Sequence, residues 1–159
     1  MKPIALLLFV LLATACTQNN SSPQQAQTTA VQQKEVEAYH PGIGEFMASI
    51  QMHHAKLWFA GDAGNWPLAE FEAGEIKELF EDVGKYNTDR PEISKLPLIE
   101  PALDSIDNAI RAKNVQLFKS SFTLLTNTCN DCHRATKFEF NVIKIPDAPP
   151  VTNQVFTPQ

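Results

Sequence analysis

Residues 115–133 read VQLFKSSFTLLTNTCNDCH. Val115, Phe118, Phe122, Leu125, Cys129 and Cys132 step by 3, 4, 3, 4 and 3. That is one stripe of an amphipathic α-helix. Asn114 is a good N-cap for it, since its side chain can accept a backbone N–H of the first turn. Both cysteines continue the core-facing stripe, and His133 follows the second directly. Three reactive side chains thus fall within five positions late in a helix.

Three more segments carry the same period. Over residues 43–60, Ile43, Met47, Ile50, His54 and Leu57 share a face, and Gly61 fits a C-terminal cap. Over 67–86, Ala69, Ala73, Ile76, Phe80 and Val83 share one, widened by Leu68, Phe71 and Leu79. Asn65 and Pro67 punctuate its start, and Glu70, Glu75, Glu78 and Glu81 lie on its other side. Between them Trp58, Phe59 and Trp66 are expected to plug the turn, a redox-partner surface being the alternative. The segment NTDRPEISKLP reads as a connection, because Pro91 and Pro97 argue against an α-helix inside it. A helix over 98–113 comes next, with Ile99, Leu103, Ile106 and Ile110 inward and Pro101 tolerated in the first turn. Short connections between four such helices predict an all-α domain, an antiparallel four-helix bundle over residues 41–137. The tail, 138–159, is expected to be non-helical, with Phe138, Phe140 and Val142 alternating as if it began extended.

The chain opens MKPIALLLFVLLATAC. Lys2, the short apolar run 4–12 and the small residues 13–15 make a secretory signal over residues 1–15. It runs into Cys16 and resembles a bacterial lipobox, in which that cysteine becomes the lipid-modified first residue; Ala13 stands where Leu is commonest. An ordinary signal with a chance cysteine is the competing interpretation. Residues 16–40 are rich in Gln, Asn, Ser and Thr and read as a disordered tether. A flexible segment of about 24 residues would reach roughly 25–30 Å. The resemblance implies export to the periplasmic side of a bacterial membrane, and the lack of an acidic residue at position 17 points to the outer one. The formal charge of −5 argues against nucleic acid as a partner, and loss of Lys2 makes it more negative.

Cys129, Cys132 and His133 form a C-x-x-C-H. Thiols at i and i+3 on a helix are neighbours, so both can bond one haem, with the next histidine on its iron. A zinc site needs four ligands, and a second cysteine pair is missing. A thioredoxin-like pair expects a βαβ context and a helix N-terminus. A disulfide would close a very small loop. One covalent haem c is the expected cofactor.

Four helical segments with one C-x-x-C-H near the end of the last resemble the class II cytochromes c, the cytochrome c′ group and its six-coordinate relatives. The resemblance covers about residues 43–137. It implies a haem within the bundle, held by Cys129 and Cys132 as thioethers and by His133 as proximal ligand. Lys137 stands where the family carries a basic residue, usually Arg, beside the imidazole. Thr136 stands where it often has an aromatic, and this chain runs on for about twenty residues where the family usually ends.

In an antiparallel bundle the motif faces the start of the first helix. Met47 lies there and matches the methionine ligand of the six-coordinate relatives; core filling is its other role. His54 is the rival, about 10.5 Å further along at 1.5 Å per residue. His53 lies round the helix; for both histidines a place at the core edge or near a propionate is the other role, and an open or apolar distal face is the third outcome. Phe46, Ile50, Phe122 and Leu125 are expected around the haem, and Arg134 or Arg111 at its propionates or in solvent. His40 reads as solvated. The expected function is electron transfer to a redox partner protein of unassigned identity, without conversion of a substrate. The alternatives are a gas-binding (NO or CO) haem protein and an exported structural lipoprotein. The sequence leaves open whether a homodimer forms and whether the tail covers the haem or a dimer surface.

Overall fold

The computed structural model describes residues 40–159. The leader over 1–15, Cys16 and the tether lie outside the described residues, apart from the tether's last position, His40. Among the described residues all regular structure is helical and there is no strand. Four α-helices occur among these residues: α1 Ile43–Asp62, α2 Trp66–Tyr86, α3 Glu100–Arg111 and α4 Val115–Ala135. None is long and apolar enough to cross a membrane.

The boundaries follow local chemistry. At the head of α1 the Gly42 N–H donates to Glu45 Oε2 at 2.9 Å. Asn65 Oδ1 accepts from the Leu68 N–H at 3.4 Å and opens α2. Asn114 Oδ1 accepts from the Leu117 N–H at 3.0 Å and opens α4. These side chains satisfy donors that a helix start leaves without partners.

Several local expectations change. The connection before α3 holds a 3-10 helix, Pro91–Ile99, which begins on Pro91 where no N–H is needed. Helix α3 then starts at Glu100, with Pro101 in its first turn. Gly61 is not a cap: α1 runs through it to Asp62, and the turn glycine is Gly64, at φ +73°. Gly61 is a close-approach residue, since a Cβ there would stand 2.2 Å from the Phe118 ring. The tail does not begin as a strand: the Asn141 N–H donates to the Phe138 carbonyl at 2.9 Å and closes a turn. Phe71, expected to widen the inward face of α2, is 56 % exposed.

The core is apolar and continuous. Ile50, Leu57, Ala73, Ile76, Leu103, Ile106, Phe118, Phe122 and Leu125 are buried together, drawn from all four helices. Small residues, Ala60, Ala69, Ala102 and Ala109, let the helices approach. Named pairs fix the neighbours. Phe46 stacks on Tyr86, and His53 Nδ1 bonds Glu72 Oε2 at 2.7 Å, joining α1 to α2. His54 bonds Thr126, Trp58 packs on Phe122, and Asp62 pairs with Lys119, joining α1 to α4. Ser105 bonds Ser121 between α3 and α4, and Lys77 pairs with Asp107 between α2 and α3. The cluster Trp58, Trp66, Phe118 and Phe122 fills the end of the core near the α1–α2 turn. From the tail, Phe156 reaches Phe59, with ring centroids 5.7 Å apart.

Candidate haem site

A cavity of about 590 Å3 opens at the other end of the core. That is within the roughly 300–1,000 Å3 of small-molecule and cofactor sites. Helix α1 supplies Gly44, Met47, Ala48, Ile50, Gln51 and His54 to its wall. Helix α2 supplies Phe80 and Val83, and the segment after it supplies Asn87, Arg90, Leu96 and Ile99. Helix α4 supplies Cys129, Cys132 and His133, and the tail supplies Phe138, Asn141 and Ile143.

The motif and the candidate sixth ligands thus share one chamber. Met47 and His54 both line it, as does Ile50. Phe46, Phe122, Leu125 and Lys137 do not line it. Phe122 and Leu125 are buried in the core behind it, and Phe46 packs on Tyr86. Lys137 is exposed at φ +66°, a left-handed conformation that reverses the chain after α4. Arg134 pairs with Asp131 and Arg111 with Asp107, both away from the cavity wall. His53 is spent on Glu72.

Hydrogen bonds set the histidine tautomers. His133 Nδ1 lies 2.6 Å from the Asn141 carbonyl oxygen. A carbonyl only accepts, so Nδ1 carries a proton, and in the neutral ring this leaves the Nε2 lone pair free. The Thr126 hydroxyl donates to the Phe122 carbonyl at 2.9 Å, so it accepts from His54 Nε2 at 3.0 Å. His54 is therefore protonated on Nε2. Burial holds its pKa down to about 4, so the ring is neutral at pH 7.

The thiols are not activated. Burial first, then the neighbouring Cys132, pushes Cys129 up to about 12. Burial also raises Cys132, against the pull of Lys95. Both lie in the last third of α4, where the helix dipole opposes a thiolate. This is the reverse of a thioredoxin-like site. A chelated zinc lacks its set too: among the described residues no three His, Cys, Asp or Glu side chains are grouped to hold a metal ion.

Sequence reasoning missed the 90–99 wall, Asn87 and the tail residues. Arg90 lines this cavity and bonds Glu92 beside it on the same wall, with Nη2 2.9 Å from Oε1. The signal for it was faint: one basic residue directly before a proline in an acidic, polar connection. No protein-family model matches this chain, and neither the curated proteins nor the solved structures compared with it include a match.

Proposed function

We propose that this chain is a c-type cytochrome that carries one covalent haem and passes single electrons on the periplasmic side of a bacterial membrane. The observation that carries this reading is the convergence on one largely apolar cavity of Cys129, Cys132, Met47 and a His133 whose Nε2 is free. A dithiol or zinc site would need none of that volume. The residues fit the group: the thiols would hold it as thioethers, and His133 Nε2 and the Met47 sulfur would be its protein ligands.

The haem, when bound, supplies one-electron exchange at its iron. Ile50, Phe80, Val83, Leu96 and Ile99 give the cavity apolar walls that exclude water, which raises the energetic weight of each charge near it. Arg90, with Asn87 and Gln51, offers the polar groups suited to the propionates. We read the fold as an antiparallel bundle. Contact partners rise along α1 as they fall along its neighbours: Phe46 with Tyr86 and His53 with Glu72, His54 with Thr126 and Gly61 with Phe118. These contacts support an arrangement with the start of α1 opposite the end of α4, as haem ligation by Met47 and His133 would require.

The test is covalent attachment. The exported chain is purified, denatured and extracted with acidified organic solvent. Colour should stay with the protein, and Cys129→Ser with Cys132→Ser should abolish it. A colourless chain, or pigment that extracts, rejects the reading. The anchor is tested separately: Cys16→Ser should release the protein from membranes and leave its spectrum unchanged. A second reading, binding of a gas at an open sixth position, is supported by Gly44 and Ala48, which give α1 a small, apolar stretch of wall beside Met47.

A further inference from the structure

The chain runs on past the motif, and residues 138–143 fold back onto it. Lys137 turns the backbone at φ +66° directly after α4. The Phe138 N–H donates to the His133 carbonyl at 2.7 Å. The turn closed by Asn141 then carries its own carbonyl to His133 Nδ1 at 2.6 Å. Asn130 stands between the two cysteines, and its amide makes a two-point bond to one residue of the tail. Nδ2 donates to the Ile143 carbonyl at 2.8 Å, and Oδ1 accepts the Ile143 N–H at 2.8 Å. The tail therefore has two attachments to the motif: one to the histidine and one to the helical turn between the cysteines.

We propose that residues 138–143 are a clamp on the proximal histidine, locked to the motif by Asn130, which acts as a positioning residue. This rests on the haem reading above and adds to it what the tail is for. The Asn141 carbonyl fixes the imidazole in the tautomer with Nε2 unprotonated and orients the ring. By accepting the Nδ1 proton strongly it also makes Nε2 a more basic ligand. A more basic ligand favours the oxidised iron, so the clamp holds the reduction potential down. Because the acceptor is a backbone carbonyl, its position depends on how the tail is docked, and Asn130 sets that docking two residues away.

The experiment compares three full-length haem-loaded proteins: wild type, Asn130→Ala and Asn127→Ala. Asn127 is exposed on α4 and does not line the cavity, so its variant controls for loss of an amide near the motif. Covalent haem is verified first by solvent extraction. The reduction potential should then rise in Asn130→Ala and stay at the wild-type value in Asn127→Ala. Asn130→Asp keeps the acceptor for the Ile143 N–H and loses the donor, and should fall between. Tail cleavage by a protease within 138–143 should speed up in the same order. An unchanged potential in an Asn130→Ala protein whose tail is cleaved rapidly overturns the clamp and leaves the haem reading intact. A wild-type chain without covalent haem overturns both. Should Asn130→Ala not accumulate, nitrogen NMR of the reduced low-spin wild type decides. A slowly exchanging proton on His133 Nδ1 supports the clamp, and a rapidly exchanging one overturns it.

Discussion

His54 Nε2 donates to Thr126 Oγ1 at 3.0 Å, tying the middle of α1 to the middle of α4 inside the core. The pair bears on the sixth ligand of the proposed haem. Met47 and His54 both reach the cavity wall, but His54 has spent the nitrogen most often used for ligation on a buried hydroxyl, while the Met47 sulfur has no competing bond. The oxidised protein should be low-spin and show the weak far-red band of a sulfur–iron bond. Met47→Ala should erase that band, admit carbon monoxide and lower the reduction potential. His54→Ala should keep the band. A bis-histidine spectrum lost with His54→Ala would sink the assignment, and a high-spin wild type that takes carbon monoxide readily would favour the gas-binding reading.

The same histidine makes stability depend on pH. Its folded pKa, about 4, lies below the unfolded value near 6.5, because burial disfavours the charged ring. The unfolded chain therefore binds the proton first as pH falls. The contribution is fully present above about pH 6.5 and is lost progressively towards pH 4. A shift of this size corresponds to about 3 kcal/mol. Urea melts at pH 7 and pH 4.5 should show the loss, and His54→Gln should remove most of the difference. An equal pH dependence in that variant would assign the effect to other groups.

Gly61 and Phe118 give a packing prediction. The Phe118 ring fills the space where a Cβ on residue 61 would go, 2.2 Å from its nearest atom. The ring is fully buried and touches Trp58, Trp66 and Phe122, so it has little room to yield. Gly61→Ala gains helix propensity of about 1 kcal/mol yet should destabilise overall, by about 1–3 kcal/mol. Phe118→Leu alone should also destabilise, but combined with Gly61→Ala it should cost less than the sum. Strict additivity in thermal melts would show that the two positions do not meet.

How much of the fold and site is readable from sequence differs by residue, for physical reasons. The stripes are legible because burial on one helix face imposes its period on sequence; Ile106, Phe118 and Phe122 stand where the spacing puts them. The 3-10 helix is not, since the prolines that argue against an α-helix both fall within a tighter one: Pro91 opens it and Pro97 lies inside it. Gly61 misleads because a glycine near a helix end serves equally as cap or as close approach, and only the partner ring distinguishes them. At the candidate site the motif and Met47 are visible as side chains of known chemistry. The Asn141 contribution is invisible, because a backbone carbonyl leaves no mark on sequence. Glu72 is equally hidden: it comes after two exposed residues on α2, yet it is fully buried.

That carboxylate carries the last prediction. Glu72 Oε2 meets His53 Nδ1 at 2.7 Å, while its Oε1 is buried with no hydrogen-bond partner among the described residues. His53 Nε2 also lies 3.9 Å from Glu75 Oε2, nearer the surface. Removing the histidine leaves a buried carboxylate with nothing to satisfy it. Leaving a buried acceptor without its partner costs about 1–3 kcal/mol, more for a charged one, whereas replacing both partners with apolar groups of similar shape is often nearly neutral or stabilising. His53→Ala should therefore destabilise the bundle strongly. Adding Glu72→Leu to it should recover most of the loss, because the unsatisfied polar group disappears and apolar contact between α1 and α2 takes its place. Denaturant melts of the single and double variants measure this. If His53→Ala costs under about 1 kcal/mol, the range of an exposed ion pair, the carboxylate reaches water and its burial is not what the contact with His53 relieves.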